Sequence, residues 1–126
     1  MASHPFQYAI VRVMPRVERG ECLNAGVILL CRPRRFLAAM VGLDRERLRA
    51  LASDVDPTTI ETHLAAIERI ARGDADAGPI AELVQGERFH WLVAPSSTVI
   101  QPSEVHTGLC DDPGVELDHL FERLVR

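Results

Sequence analysis

The chain has 126 residues, of which 47% are hydrophobic and 25% are charged. This length suits a single domain, residues 1–126, with one hydrophobic core. All fourteen basic residues are arginine, which excludes Schiff-base chemistry on a lysine and the lysine of a P-loop. The first ten residues lack the basic start and long apolar stretch of a secretory signal, no apolar run is long enough to cross a membrane, and the three cysteines form no CxxC pair. We therefore expect a soluble cytoplasmic protein with reduced thiols and no membrane contact.

Charge is distributed unevenly along the chain. Residues 1–50 hold nine arginines against four acids (net +5), and residues 51–126 hold five against fourteen (net −9), which sum to −4. A basic half can attract nucleic acid or an acidic partner, although the acidic chain as a whole disfavours nucleic acid. The arginines that flank the ends of the predicted N-terminal hairpin are the candidates for that role: Arg16, Arg19, Arg32, Arg34 and Arg35.

The first forty residues predict a meander of three antiparallel strands. Residues 6–14 are rich in β-branched and aromatic side chains and end before Pro15, which is typical of a strand. Residues 22–31 form a second strand, and their nearly continuous apolar run indicates burial on both faces. Residues 36–41 form a third strand. The connections between the three are short, which favours antiparallel neighbours.

Helix signals follow the meander and return at the C-terminus. Asp44, Asp56-Pro57 and Asp112-Pro113 each place a capping acid before an amphipathic segment. We also expect a short helix over residues 80–85.

Strand signals lie between these helices. Phe89, Trp91 and Val93 alternate with other residues, which predicts a strand through residue 95. Residues 96–110 predict a short strand and a long connection, with Pro102 excluded from a central position. The predicted fold class is therefore α+β: an N-terminal antiparallel three-stranded meander, extended by one or two later strands and packed against amphipathic helices.

Arg12 is the most informative single residue, because a charge in mid-strand must find partners or reach water. If the first two strands pair about Glu18, Arg12 lies opposite Asn24 and close to Glu21, and the three residues form one polar cluster. Such a cluster is either a structural salt bridge at a sheet edge or a binding site for an anion or a partner.

The segment around "APSSTVIQPS" contains hydroxyl and amide side chains between prolines. A rigid loop of this kind can bind anions or peptides, and an ST-turn between strands is an equal alternative. Its candidate binding residues are Ser96, Ser97, Thr98 and Gln101.

Motifs for catalysis are missing from the sequence. There is no GxSxG elbow, the five histidines lack metal-ligand spacing, and no Gly-rich cofactor loop follows a strand. We therefore assign no catalytic residue and expect neither a metal nor a cofactor. Enzymatic activity stays open, and the sequence favours its absence.

Three stretches together resemble a known family: "YAIVRVMPRVERGECLNAGVILLC", "RFHWLVAPSSTVIQPSEVHTGL" and "LDHLFERLV". The chain is similar over nearly its whole length to the bacterial domain-of-unknown-function family 3037 (DUF3037). Where a typical member has an apolar residue after the Gly-Glu pair, this chain has Cys22. The positions that match the family pattern are Tyr8, Arg12, Pro15, Gly20, Glu21, Asn24, Gly26, Val27, Ser97, Thr98 and Gly108.

The resemblance implies no activity, because the family has no established one. It implies a genomic neighbourhood that contains a HipA-like kinase-fold protein, and hence a protein partner of that kind. Our leading hypothesis is a non-catalytic protein-interaction or regulatory module, for which self-association through the oppositely charged halves is a further option. The alternatives are a small enzyme that acts on a phosphate-bearing or acidic substrate through Arg12, Glu21 and Asn24, and an Arg-rich nucleic-acid-binding domain.

Overall fold

The computed structural model describes residues 3–96 and 98–126, and its centre is one five-stranded antiparallel sheet. The strand order is β3-β2-β1-β4, and β5 also pairs with β1. The strands span His4–Arg16 (β1), Glu21–Cys31 (β2), Phe36–Val41 (β3), Ile100–Pro102 (β4) and His106–Cys110 (β5). The predicted α+β fold is therefore confirmed, with the meander extended by two later strands.

The β1–β2 hairpin has the predicted pairing at its centre. Arg12 lies opposite Asn24, and Gly20 closes the connecting 3₁₀ turn with a φ of 72°, a conformation that glycine adopts without steric cost. The register shifts twice, between Val11 and Arg12 and between Val13 and Arg16. The Arg12–Asn24 pair lies between the two shifts, in the register that counting from Glu18 predicts, whereas the pairs outside them follow a register offset by one residue.

Four α-helices pack on the sheet: Arg45–Leu51 (α1), Pro57–Arg72 (α2), Gln85–Leu92 (α3) and Pro113–Leu124 (α4). Three of them begin at the predicted aspartates. The side chains of Asp44, Asp56 and Asp112 each accept hydrogen bonds from backbone N–H groups of the first helical turn. These bonds satisfy donors that a helix start otherwise leaves unpaired.

The sheet separates two hydrophobic clusters. One lies beneath α1, α2 and α3, and we call its side the helix-rich face. The other lies beneath α4, and we call its side the α4 face. The buried residues of the helix-rich face are Val11, Val13, Leu23, Ala25, Ile28, Leu30, Leu37, Leu48, Ile60, Leu64, Ala71 and Phe89. Those of the α4 face are Phe6, Val27, Leu29, Cys31, Cys110, Leu117, Leu120, Phe121 and Val125. Residues 25–31 of β2 are all buried, which confirms the predicted burial of this strand on both faces.

Two predictions between residues 79 and 95 are wrong. The expected strand from Phe89 is the helix α3, and the expected helix over residues 80–85 is a 3₁₀ turn at Pro79–Glu82. An alternation over five residues fits both periods, and tertiary packing decides between them. In the helix, Phe89 is buried in the helix-rich face while Trp91 is 59% exposed.

Ser103 joins the two short strands to β1. Its hydroxyl accepts a hydrogen bond from the Ile10 backbone N–H and donates one to the Glu104 carbonyl, each at 2.8 Å. The residue is 96% buried but fully paired, which is what a buried hydroxyl requires. Among the described residues, no helix is long and apolar enough to cross a membrane.

Candidate functional site

Arg12 occupies the middle of a polar row that crosses three strands. It pairs with Asn24 of β2 on one side and with Gln101 of β4 on the other. Directly paired residues of neighbouring strands point to the same face of a sheet. The three side chains therefore emerge together on the α4 face, where Ile10 and Met14 of the same strand are also only half-buried.

The two amides of this row are already held in place. Asn24 Nδ2 donates to the Leu124 carbonyl at 2.9 Å, at the C-terminal end of α4. Gln101 Nε2 donates to the Thr98 carbonyl at 2.7 Å and lies 3.6 Å from the Met14 sulfur. For Arg12, no hydrogen-bond or ion-pair partner is found within residues 3–96 and 98–126. Arg12 is thus a half-buried residue whose ladder partners on both sides carry amides that are already held.

Glu21 does not belong to this row, so the predicted Arg12–Glu21–Asn24 cluster does not form as a unit. Glu21 lies opposite Arg16 in the ladder, and its carboxylate pairs with Arg19 across the hairpin turn. The hydrogen bond that Arg19 donates to the Glu21 carboxylate raises the pKa of Arg19 above its usual value. The second register shift separates Glu21 from Arg12 and directs it to the hairpin tip.

The hydroxyl-rich loop is folded onto itself. Thr98 Oγ1 lies 2.9 Å from Ser96 Oγ, and the Thr98 N–H donates to Ser96 Oγ at 3.3 Å. Thr98 Oγ1 also donates to the Ile100 carbonyl at 2.8 Å. These bonds form a turn of the ST type, whereas Ser97 lies outside the described residues. Gln101 is the residue that connects this loop to Arg12.

The five candidate nucleic-acid arginines lie at opposite ends of β2. Arg16 and Arg19 belong to the β1–β2 end, where they pair with Asp54 and Glu21. Arg32, Arg34 and Arg35 belong to the β2–β3 end. The eleven residues of β2 extend over roughly 35 Å at about 3.3 Å per residue. The structure therefore separates these arginines into two groups rather than one patch.

A different surface stands out around α3, which we call the Trp91 groove. It is an open cavity of about 630 Å³ lined by Arg32, Leu83, Val84, Gly86, Glu87, His90 and Trp91. Val84 is 68% exposed and Trp91 59% exposed. Large exposed apolar side chains beside a concavity are typical of interaction surfaces.

Arg32 lies directly over the start of α3. A Cβ atom on Gly86 would lie 2.6 Å from Arg32 Nη1, so the glycine leaves room for the guanidinium. No carboxylate of the described chain pairs with Arg32. The groove therefore combines an apolar floor at Val84 and Trp91 with an available cation at its rim.

The helix that carries Trp91 is fixed to the rest of the molecule. Phe89 is buried in the helix-rich face, and Gln85 Nε2 donates to the Arg35 carbonyl at 2.9 Å. Arg88 donates from Nη1 to the Leu83 carbonyl at 2.6 Å and from Nη2 to the Ala71 carbonyl at 3.3 Å. The Ala71 carbonyl belongs to the last turn of α2, where a cation is favourable. The groove is therefore preformed.

The sequence did not reveal Trp91, Val84 and Arg88 as site residues, because its patterns predicted a short helix over residues 80–85 and a strand from Phe89. A helical period would have placed Phe89 on the inner side and Trp91 on the outer side. The signal was weak, since the N-cap residue Val84 has no side chain that can cap and Gly86 lies inside the first turn. Neither a start signal nor sufficient length was present to select the helix.

Metal-binding clusters and the Cys110 thiol are further candidates for a reactive centre. Within the described residues, no group of three or more His, Cys, Asp or Glu side chains could hold a metal ion. Burial, together with the neighbouring thiol of Cys31, raises the pKa of Cys110 to about 11. A thiol with such a pKa is protonated at neutral pH and is a poor nucleophile.

Residues 8–125 match the family model described as "Protein of unknown function (DUF3037)". The match covers nearly the whole chain and confirms the resemblance carried by the sequence motifs. No curated protein and no solved structure matches the chain. The family description names no activity, so the function has to be inferred from the surfaces described above.

Proposed function

Because the chain belongs to DUF3037, a family of proteins of unknown function, we propose a role from its surfaces: it is a non-catalytic protein-interaction module. Its docking surface is the Trp91 groove, and its partner is another protein. The exposed Trp91 beside Val84 is the observation that carries this proposal. Tryptophan is enriched among the residues that dominate binding energy at protein interfaces, because it buries a large area with few rotatable bonds.

The side chains that line the groove indicate which residues the partner presents to it. An apolar side chain of the partner would fill the space between Val84 and Trp91, and a carboxylate would pair with Arg32. The fixed position of α3 supports this, since a preformed surface avoids the entropic cost of ordering on binding. The HipA-like kinase-fold protein implied by the family resemblance is the specific partner that we propose.

The polar groups that the enzyme hypothesis requires are arranged less favourably. Arg12 lines neither the Trp91 groove nor the cavity beside Asn24, and Glu21 is paired elsewhere. Catalytic sites are usually concave and exclude water around the reacting atoms. An open row on a sheet face suits binding better than chemistry.

Affinity purification of the tagged chain from its native host tests the module, with wild type compared with Trp91→Ala. Leu109→Ala is the matched control, because Leu109 is 68% exposed and lies outside the groove. We expect wild type and Leu109→Ala to retain the same stoichiometric protein, and Trp91→Ala to lose it. Truncation of an interface hot spot costs about 2 kcal/mol or more, a loss of about thirtyfold in affinity.

Isothermal titration calorimetry of the chain with the purified HipA-like kinase-fold protein, the genomic neighbour that the family resemblance implies, tests the partner assignment directly. Saturable binding to wild type, weakened by Trp91→Ala and unchanged by Leu109→Ala, would support both the groove and the partner. Equal retention of the captured protein by wild type and Trp91→Ala would refute the groove. If the purified neighbour does not bind, the kinase-fold assignment fails.

Anion binding at the Arg12 row is a second candidate function. It is favoured by the half-buried guanidinium that has no partner among the described residues, since a rigid fork suits a phosphate or carboxylate group. Inorganic phosphate, titrated while the side-chain amide NMR signals of Asn24 and Gln101 are recorded, is the probe. We expect saturable shifts in wild type, weaker ones in Arg12→Lys and none in Arg12→Gln. Unchanged wild-type spectra would contradict the candidate.

A further inference from the structure

The free edge of the sheet at β3 carries an inference beyond the proposed function. Among the described residues this strand pairs only with β2, through a register without shifts from Gly26 opposite Val41 to Cys31 opposite Phe36. Its other side is the outer edge of the sheet. An edge strand offers unpaired backbone N–H and C=O groups, which form a template for another strand.

The backbone geometry shows which groups point outward. The Gly42 N–H donates to the Ala25 carbonyl at 2.8 Å, so this is a hydrogen-bonded pair of the antiparallel ladder. Because such pairs alternate along a ladder, Leu37, Ala39 and Val41 direct their N–H and C=O groups away from β2. No backbone or side-chain hydrogen bond from residues 3–96 or 98–126 reaches these groups.

Three protections that are common at edge strands are missing from β3. Its sequence, FLAAMV, contains no charge and no proline, and its ladder with β2 contains no bulge. Natural sheets use these devices to prevent pairing with other chains. Five of the six residues are also partly exposed, Leu37 being the exception.

We propose that β3 pairs with β3 of a second copy of this chain, in antiparallel orientation about a two-fold axis at Ala39. In this register Ala39 lies opposite Ala39, and Leu37 lies opposite Val41. Leu37, Ala39 and Val41 of each copy then form hydrogen-bonded pairs with Val41, Ala39 and Leu37 of the other. Each pair contributes two hydrogen bonds, so six bonds satisfy all of the outward N–H and C=O groups. A two-fold interface requires a self-complementary surface, and the outer edge of β3 is self-complementary in this register.

Charges at the two ends of β3 favour the antiparallel orientation. Arg34 and Arg35 are the charged residues that precede the strand and Asp44 is the first that follows it, so an antiparallel pair brings the basic end of one copy toward the acidic end of the other, twice by symmetry. Within residues 36–43 there is no charge to repel the second copy. The small side chains of Ala38 and Ala39 at the centre allow the two strands to approach closely. The result is a continuous ten-stranded sheet.

Hydrogen exchange, measured on the whole chain by NMR beside analytical ultracentrifugation, tests this proposal. We expect a monomer–dimer equilibrium in which the amides of Leu37, Ala39 and Val41 become protected as concentration rises. The amides of Ala38 and Met40, which point toward β2, serve as internal controls and stay protected at every concentration. A monomer at all soluble concentrations, or a dimer with freely exchanging Ala39, would overturn the proposal.

Two variants separate this interface from other contacts. Ala39→Pro removes an outward N–H without removing a bond to β2, as edge strands tolerate, and we expect a folded monomer. Arg34→Glu places like charges together outside the strand and should weaken the dimer about tenfold at low salt, while Arg123→Glu is neutral. If Ala39→Pro folds and dimerises like wild type, the proposal fails. A dimer lost in Trp91→Ala but retained in both β3-directed variants would also refute it.

Discussion

The two faces of the sheet are covered to different extents, and their free surfaces differ accordingly. Three helices cover the helix-rich face, whereas α4 alone covers the other and packs against β2 and β3. The C-terminal half of β1 therefore stays half-open on the α4 face, and the polar row of Asn24, Arg12 and Gln101 lies there. On the helix-rich face the free surface is the outer side of α3, where Trp91 is exposed. The part of the sheet that no helix covers therefore carries polar side chains. The exposed apolar side chain of Trp91 lies instead on α3, one of the helices that cover the sheet.

Truncation of a core leucine on each face should give the largest effects. Leu64 of α2 is 1% exposed and Leu120 of α4 is 2% exposed, so we expect Leu64→Ala and Leu120→Ala each to cost about 2–5 kcal/mol of unfolding free energy. Urea unfolding followed by near-UV and by far-UV circular dichroism measures this. Leu109→Ala is the exposed control, within about 0.5 kcal/mol of wild type. Non-coincident transitions by the two probes would show that the two faces unfold independently.

An added methyl group at Gly26, beneath the helix-rich face, should have the next largest effect on the free energy of unfolding. A Cβ atom on Gly26 would lie 2.9 Å from the Met40 carbonyl oxygen and 2.9 Å from Val41 Cγ1. Because a backbone atom cannot easily yield, we expect Gly26→Ala to destabilise by about 1–3 kcal/mol. Gly20→Asn is the control, since nothing lies within 4 Å of a Cβ there and asparagine tolerates positive φ. A Gly26→Ala protein as stable as Gly20→Asn would contradict the tight packing.

A rise in pH above 9 should lower the free energy of unfolding through Cys110, which belongs to the hydrophobic cluster of the α4 face. Burial raises the pKa of Cys110 from 9.0 to about 11. This contribution to stability is fully present below pH 9 and is lost as pH rises through about 11, because the unfolded thiol ionises first. Wild type should therefore lose stability relative to Cys110→Ala over this interval. An unchanged difference in unfolding free energy would contradict the burial of the thiol.

The exposed ion pair between Arg16 and Asp54 should give the smallest effect. The hydrogen bond from Arg16 lowers the pKa of Asp54 below its usual 3.8. Its contribution is present above that value and is lost as pH falls through the lower, folded pKa. Thermal unfolding should thus show a slight destabilisation of Asp54→Asn at neutral pH that disappears in acid. A destabilisation that persists in acid would contradict this account.

Local signals made much of the fold predictable. Aspartate caps, prolines at helix starts and the apolar run of β2 identified the meander and three of the four helices, because those signals act over a few residues. The Arg12–Asn24 pairing followed from counting outward from a turn near Glu18. These features depend on neighbours in sequence.

Long-range contacts could not be predicted in the same way. The position of Gln101 beside Arg12 depends on β4 returning to β1 across about ninety residues of sequence, and no local pattern encodes that pairing. The diversion of Glu21 depends on a bulge whose position the alternation does not show. The alternation of Phe89 and Trp91 also fits a strand. Packing against the helix-rich face, which buries Phe89 and leaves Trp91 exposed, selects the helix.

Intrinsic fluorescence tests the central claim most directly, because Trp91 is the single tryptophan of the chain. In the isolated protein its emission should be that of a solvated indole and readily quenched by acrylamide. When the protein that purifies stoichiometrically with wild type is added, the emission should shift to shorter wavelength and become protected from quenching, with the same result for Leu109→Ala. An unchanged spectrum in the saturated complex, or an indole already protected in the free chain, would contradict the Trp91 groove as the docking surface.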